Sequence, residues 1–410
     1  MKKSLLVTFV FLLFSSFSYS GAQDNMFTVT VDKVLNGRIS LDPPPPSDGR
    51  YPSGTEIKVT AFPDRGYVLD SGYFSVKGMW GQMYHESMSP EFAVTVDQEK
   101  HIGASFIKKK EVDHVKVIQD VIYAKPGVKA LKYDVYMPKG AAKKLPIIII
   151  IHGGGWAANT EDIMRGMARE LTKNRKYVVC SIDYRWSEKK DGDAVNNSMA
   201  DIIGDVFGAI AHIMEHASEY GGDPSRIALT GDSAGGHLSA AAAVMADKIG
   251  NAGFGKTHGV FQFMPSYIPK NKTIVKLRTE IMDAVKAAAP SYGVFGGSFL
   301  NHYSDDPSAD DTWKEAISPL HNIPDIKERS VPHYLVRGTS DPLIKDEMVK
   351  DYVDELVKAG QRAEYVQVGG AGHAFFDWKP DEVTKAAFKK FGVYYCRQME
   401  AFFDSVFFVN

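Results

Sequence analysis

The chain has 410 residues, with 48 basic and 50 acidic side chains and a formal net charge of −2. Apolar residues make up 44% and charged residues 24%, which excludes a wholly disordered chain, a collagen-like chain and a multi-span membrane protein. The near-zero charge gives no electrostatic reason to expect nucleic acid as a partner, and two cysteines cannot build a disulfide-dense scaffold or a four-cysteine zinc site.

The chain opens with Lys2 and Lys3, then the apolar run Leu5 to Phe14, then Ser18-Tyr19-Ser20-Gly21. As a helix the run would reach about 15 Å, roughly half a bilayer core, so it is too short to span. The pattern is that of a secretory signal peptide over residues 1–20, cut near Ser20; an uncleaved anchor is the alternative. No cysteine follows the run, so a lipid anchor is not expected. No later stretch is long and apolar enough to span, and the mature protein is expected to be soluble and secreted or periplasmic. Export would permit a Cys180–Cys396 disulfide. Nothing in the sequence brings the two together, and two separate buried thiols are expected.

Residues 24–108 read as a small all-β, sandwich-like module. Phe27 to Val31, Ile57 to Ala61 and Phe92 to Val96 alternate apolar with polar residues, and Asn36-Gly37, Pro43 to Pro46 and Asp48-Gly49 mark turns. Tyr73, Phe74, Trp80 and Tyr84 suit either a small core or a sugar-stacking platform. Lys108-Lys109-Lys110-Glu111 reads as a charged linker. Gly37-Arg38-Ile39, Tyr51-Pro52-Ser53-Gly54-Thr55, Ala61 to Tyr67 and Ile102 to Phe106 resemble the bacterial B-repeat of internalin-like surface proteins. That resemblance implies a glycan or cell-surface contact.

From residue 112 to 410 short apolar runs alternate with helical stretches. Strands are expected at Leu145 to Ile151, Tyr177 to Ile182, Arg226 to Thr230, Val260 to Met264, His333 to Arg337 and Glu364 to Gln367. Helices are expected at Glu161 to Lys173, Ser198 to Ala217, Gly235 to Lys248 and Ile344 to Ala359. Continuous apolar strands alternating with helices imply a mostly parallel sheet covered on both faces.

The strand Arg226 to Thr230 runs into Gly231-Asp232-Ser233-Ala234-Gly235-Gly236, a sharp strand–turn–helix that would lift the Ser233 hydroxyl above the sheet edge. Alone this pattern is weak. A second motif strengthens it. His152-Gly153-Gly154-Gly155-Trp156 follows the strand Leu145 to Ile151; from 12 His and 36 Gly a His-Gly-Gly-Gly match arises by chance about 0.008 times. Residues without side chains let main-chain N–H groups face a developing oxyanion, and the donors expected are Gly153, Gly154 and Ala234. Asp341 and His373 each follow a later strand, where open α/β sheets place their sites. His373 is expected to take the Ser233 proton and Asp341 to fix the imidazole. Asp346, Asp351, Asp232, His237, His321, His333 and His152 are the weaker rivals.

Together these motifs resemble the α/β-hydrolases, specifically esterases similar to hormone-sensitive lipase and bacterial carbohydrate-ester hydrolases. Asp183-Tyr184-Arg185, Asp223 to Ile227 and Ser318-Pro319-Leu320 add to the match. The resemblance implies ester hydrolysis with no cofactor and no metal. The charged stretch Ser187 to Asp191 departs from the family pattern. Tyr267 to Pro307 looks like an insertion over the site, and its Tyr292, Phe295, Phe299, His302 and Tyr303 suit either an acyl or aryl pocket, with Trp156, or a packed loop.

The function expected is a secreted serine esterase acting on short acyl or aryl esters, such as acetyl or feruloyl groups on plant polysaccharides. One rival is an exopeptidase related to prolyl oligopeptidases, but some 85 residues cannot hold the propeller that precedes them. The other is a surface-adhesion protein with an inert hydrolase domain.

Overall fold

The computed structural model describes residues 25–78, 81–141, 144–296 and 311–408. The signal-peptide residues, Trp80, Phe299, His302 and Tyr303 lie outside them. The N-terminal part forms two sheets. Strands β1 (Met26–Val31), β2 (Gly37–Asp42), β3 (Arg50–Pro52), β4 (Thr55–Pro63), β5 (Tyr67–Gly78), β6 (Gly81–Ser87), β7 (Glu91–Val96) and β8 (Lys100–Lys108) assemble as β3-β1-β8-β5-β6 and β2-β4-β7. The alternating residues Val29, Ile57, Val59, Val94, Val96 and Ile102 turn inward and form the core between them. Tyr73 is buried, with its hydroxyl donating to Asp32 Oδ2 at 3.0 Å. Phe74 stacks on His85 at 4.5 Å. Both rings are therefore committed to packing.

The remainder is an α/β-hydrolase fold. Strands β9 (Val115–Ala124), β10 (Leu131–Pro138), β11 (Leu145–Ile151), β12 (Val178–Ile182), β13 (Gly222–Asp232), β14 (Val285–Ser291), β15 (His333–Gly338) and β16 (Ala363–Val368) form one sheet in the order β16-β15-β14-β13-β11-β12-β10-β9. β9 and β10 are antiparallel additions at one edge, and the pairs from β12 to β16 are parallel. Helices α1 (Arg165–Leu171), α2 (Met199–His216), α3 (Ala234–Val244), α4 (Ile274–Ala284), α5 (Asp311–Ala316), α6 (Asp346–Lys358), α7 (Glu382–Ala387) and α8 (Val393–Phe407) accompany it. β11 is buried at every residue, which is why it reads as an unbroken apolar run rather than an alternating one.

Two expectations are corrected. Val260 to Met264 is not a strand; only Phe263 makes a bridge, to Ile249. The strand in its place is β14, paired with β13 and β15. Of the stretch Tyr267 to Pro307, the described part to Gly296 is thus not an insertion: α4 and β14 are part of the central fold, and Tyr292 emerges at the end of a sheet strand; the rest lies outside the described residues.

The join between the two parts is short. A single 3-10 turn at Lys109–Glu111 separates β8 from β9. Ile107 of β8 and Val115 of β9 belong to the same apolar cluster as the central sheet. Cys180 and Cys396 are free and buried, and burial raises both thiols above their ordinary pKa. A thiol reagent such as Ellman's is therefore expected to react with neither in the native protein and with both after denaturation. Rapid native reaction would contradict this burial.

Candidate active site

β13 leads directly into Ser233, which sits at φ 52° and ψ −117° ahead of α3. A residue with a side chain rarely adopts this conformation. Hydrogen bonds hold it there: the Ser233 N–H donates to the Ser291 carbonyl at 3.0 Å, and the His237 N–H donates to the Ser233 carbonyl at 3.1 Å. The helix can start so close to the sheet because Gly235 has no Cβ; one added there would lie 1.9 Å from the Ile151 carbonyl oxygen.

Asp341 lies just past the end of β15. One of its oxygens accepts the Leu343 and Ile344 N–H groups at 2.9 and 3.0 Å, which aims the other at His373. His373 Nδ1 is 2.8 Å from that oxygen, and His373 Nε2 is 2.9 Å from Ser233 Oγ. Burial pushes the Asp341 carboxyl upward, but its bonds to His373 and to the Ile344 amide outweigh this and leave it below its ordinary pKa. The Tyr292 ring meets the imidazole edge-on at 4.9 Å. The three side chains expected from the sequence thus converge. Two of the rivals are engaged elsewhere: Asp346 accepts from Tyr365 and Gln367, and His333 bonds the Val331 carbonyl and the Tyr352 hydroxyl.

The glycine loop agrees in part. The Gly153 N–H donates to Asp232 Oδ1 at 2.8 Å, so Gly153 anchors the loop to the elbow and is not an oxyanion donor. The Gly154 and Ala234 N–H groups make no such bond among the described residues. Ala234 opens α3, where N–H groups lack intrahelical acceptors. Gly154 has φ +124°, and a Cβ on it would lie 2.2 Å from the Ala158 carbonyl oxygen. His152 supports the loop from behind, between the Gly153 carbonyl at 2.7 Å and Asp183 at 3.2 Å, with its ring stacked on Tyr184.

The expected pocket residues are corrected as well. Trp156, Tyr292 and Phe295 are each about 1% exposed. Trp156 donates its indole N–H to His237 Nδ1 at 3.2 Å. Phe295 stacks on Tyr352 at 4.3 Å, within the core. Tyr292 is a support of the base loop: its hydroxyl accepts the Phe376 N–H and donates to Asp232 Oδ2. Burial, then the neighbouring Asp377 carboxylate, keeps Asp232 well above the ordinary carboxylate pKa. Sequence reasoning missed Asp377 and Asn159, whose side-chain amide donates to the Gly153 carbonyl. Neither belongs to a recognisable motif.

Asp120, Asp134 and Glu161 bring carboxylate oxygens within 4.8 Å of one another. The Lys132 ammonium pairs with Asp120 and stands 3.0 Å from Glu161 Oε1, yet burial and the neighbouring carboxylates hold the Glu161 carboxyl well above its ordinary pKa. Among the described residues no helix is long and apolar enough to cross a membrane. Tyr84, Glu86, Asn159, Thr160, Ile163 and Lys379 line a small hollow where the two parts meet, with room for little more than a water molecule.

Residues 133–356, more than half of the chain, match the BD-FAE family. The chain belongs to the BD-FAE family. Ahead of this BD-FAE domain, residues 27–110 match the divergent InlB B-repeat domain. The chain is 36% identical over 124 residues to carboxylesterase NlhH of Mycobacterium tuberculosis, covering 30% of this chain and 37% of that protein. It is 27% identical over 306 residues to esterase LipQ of the same organism, covering 69% and 63%. It therefore spans less than two thirds of the length of these curated relatives. Thermogutta terrifontis esterase 2 superposes with a TM-score of 0.53 at 23% identity, over 72% of this chain and 96% of that one, which shows the shared fold.

Gly235→Ala is expected to cost on the order of 3 kcal/mol of stability, since neither the carbonyl nor the strand can retreat. Urea denaturation measures this; an unchanged midpoint would contradict the packing described for the elbow.

Proposed function

We propose that this BD-FAE protein is an exported serine carboxylic-ester hydrolase acting through an acyl-enzyme. The observation that carries the reading is the unbroken chain of contacts from Asp341 through His373 to the Ser233 hydroxyl. Relatives named carboxylesterase and esterase support it.

In this reading the Ser233 hydroxyl donates its proton to His373 Nε2 as its oxygen attacks the ester carbonyl carbon. Asp341 accepts from Nδ1–H, fixing the tautomer and stabilising the imidazolium. The Gly154 and Ala234 N–H groups receive the oxyanion. Collapse of the tetrahedral intermediate expels the alcohol, which takes the proton from His373. A water then gives a proton to His373 and attacks the acyl-enzyme, and a second collapse returns the proton to Ser233 and releases the carboxylic acid.

Ser233→Ala should lower kcat by on the order of 10⁶, and Asp341→Asn by about 10⁴. Hydrolysis of p-nitrophenyl acetate by the purified variants measures both. Wild-type turnover by Ser233→Ala would refute the assignment.

The substrates proposed are short acyl or aryl esters, acetyl or feruloyl, on polysaccharides. Two features support this: the secretory pattern of residues 1–20, and the propionate-bound structure of Thermogutta terrifontis esterase 2. Export places such an enzyme where polysaccharides are met, and the repeat module offers a glycan or cell-surface contact. Rates on acetylated xylan and methyl ferulate are expected to exceed those on long-chain acyl esters. The opposite order would contradict the substrate class.

A further inference from the structure

We infer that Asp70, a residue of the repeat module, is a positioning residue for the hydrolase site, because one buried carboxylate holds the segments that carry both the base and the oxyanion loop. The inference rests on the assignment of Ser233 and His373 made above.

Asp70 lies in β5 and is fully buried. It accepts hydrogen bonds from Arg165 Nε and Nη2 at 3.2 and 3.3 Å, from Arg169 Nη1 and from the Trp378 indole N–H at 2.9 Å. Ser105 Oγ donates to it as well, and Lys385 Nζ stands 3.8 Å away. Beside it, Glu86 of β6 takes a two-pronged contact from Arg165 at 2.7 and 2.9 Å. Burial pushes the Asp70 carboxyl upward, but the Arg165, Arg169 and Lys385 charges overcome this and hold it far below its ordinary pKa.

Both partner segments run from this point to the site. Trp378 is five residues beyond His373, and its main-chain N–H donates to the Ile163 carbonyl at 2.9 Å. Between them the Phe376 N–H is held by Tyr292. Arg165 lies downstream of the glycine loop, and Asn159 ties that segment back to the Gly153 carbonyl at 3.2 Å. The two segments cross where Gly166 lies under Trp378; a Cβ at Gly166 would meet Trp378 Cβ at 2.9 Å. Asp70 closes the crossing from the repeat side. A module that served only as an appended binding unit would need no such contact, since domains joined by a linker usually share modest, mobile interfaces. Removing the carboxylate's charge leaves Arg165 buried without its full complement of partners. The crossing then loosens, and the shift reaches the base and the oxyanion donors together. A misplacement of about 1 Å far from the chemistry can cost 10²-fold in rate.

The test uses the full-length chain with Asp70→Asn and, separately, Trp378→Phe, which removes one N–H and keeps an aromatic ring in place. The substrate is p-nitrophenyl acetate, too small to depend on binding contacts with the repeat module. Active sites are titrated with a fluorophosphonate. Per titrated site, kcat is expected to fall about 10- to 100-fold in Asp70→Asn and about 3- to 10-fold in Trp378→Phe, with KM within about twofold of wild type. A lowered melting temperature with wild-type kcat per site would overturn the positioning role and leave Asp70 a structural tether. If Asp70→Asn does not fold, Trp378→Phe decides by the same criterion. A wild-type chain that the fluorophosphonate does not label would overturn the hydrolase reading itself, and this inference with it.

Discussion

A serine held in a backbone conformation that disfavours side chains depends on everything beneath it staying still. Such a residue costs on the order of 1–3 kcal/mol, and the cost is met by close main-chain packing between β11, β13 and α3. The Ile151 carbonyl fills the space that a Cβ on Gly235 would need. The Ser291 carbonyl of the next strand takes the Ser233 N–H. β11 is buried at every residue, β13 from Ile227 to Asp232 and β14 from Ala287 to Ser291, so the elbow rests on the buried ends of three neighbouring strands. The hydroxyl is thereby presented at the carboxyl edge of the sheet, within reach of an imidazole from a distant loop.

The loops around that hydroxyl are held by buried polar anchors as well as by apolar packing of Trp156, Phe375, Phe376 and Trp378. Asp232 pins Gly153 and reaches Tyr292, which in turn holds the base loop. Asp183 carries His152 and is itself compensated by Lys129 at 2.8 Å. Asp70 performs the same service one layer further out. Buried charges are costly unless paired: Asp183 and Asp70 each have cationic partners, whereas burial and the neighbouring Asp377 push the Asp232 carboxyl well upward, towards its neutral form. What they provide is a fixed direction for a few N–H groups and one imidazole.

Much of this was legible in the sequence, and the gaps have physical causes. The buried strand β11 shows itself as an unbroken apolar run and β12 as one broken only by Ser181, and the order of Ser233, Asp341 and His373 follows their strands. β14 is hidden because its sequence, Val285 to Ser291, is three alanines among a valine, a lysine, a proline and a serine: small residues fit between crowded neighbours but give no strand pattern. Val260 to Met264 has the opposite character, apolar enough for a strand yet lying outside the sheet. The glycine loop announced that N–H groups would be used, but not which ones. That depends on backbone angles and on Asp232, 79 residues away in the chain. Tyr292 stands out in the sequence for its ring, whereas its hydroxyl does the holding. The contact between Asp70 and Arg165 spans 95 residues and had no local signature at either end.

The most direct test is to treat the native protein with a fluorophosphonate and locate the adduct by peptide mass mapping. One adduct is expected, on the Ser233 oxygen, and it is lost when His373 is replaced. An adduct on another residue, or none on the folded protein, would contradict the assignment.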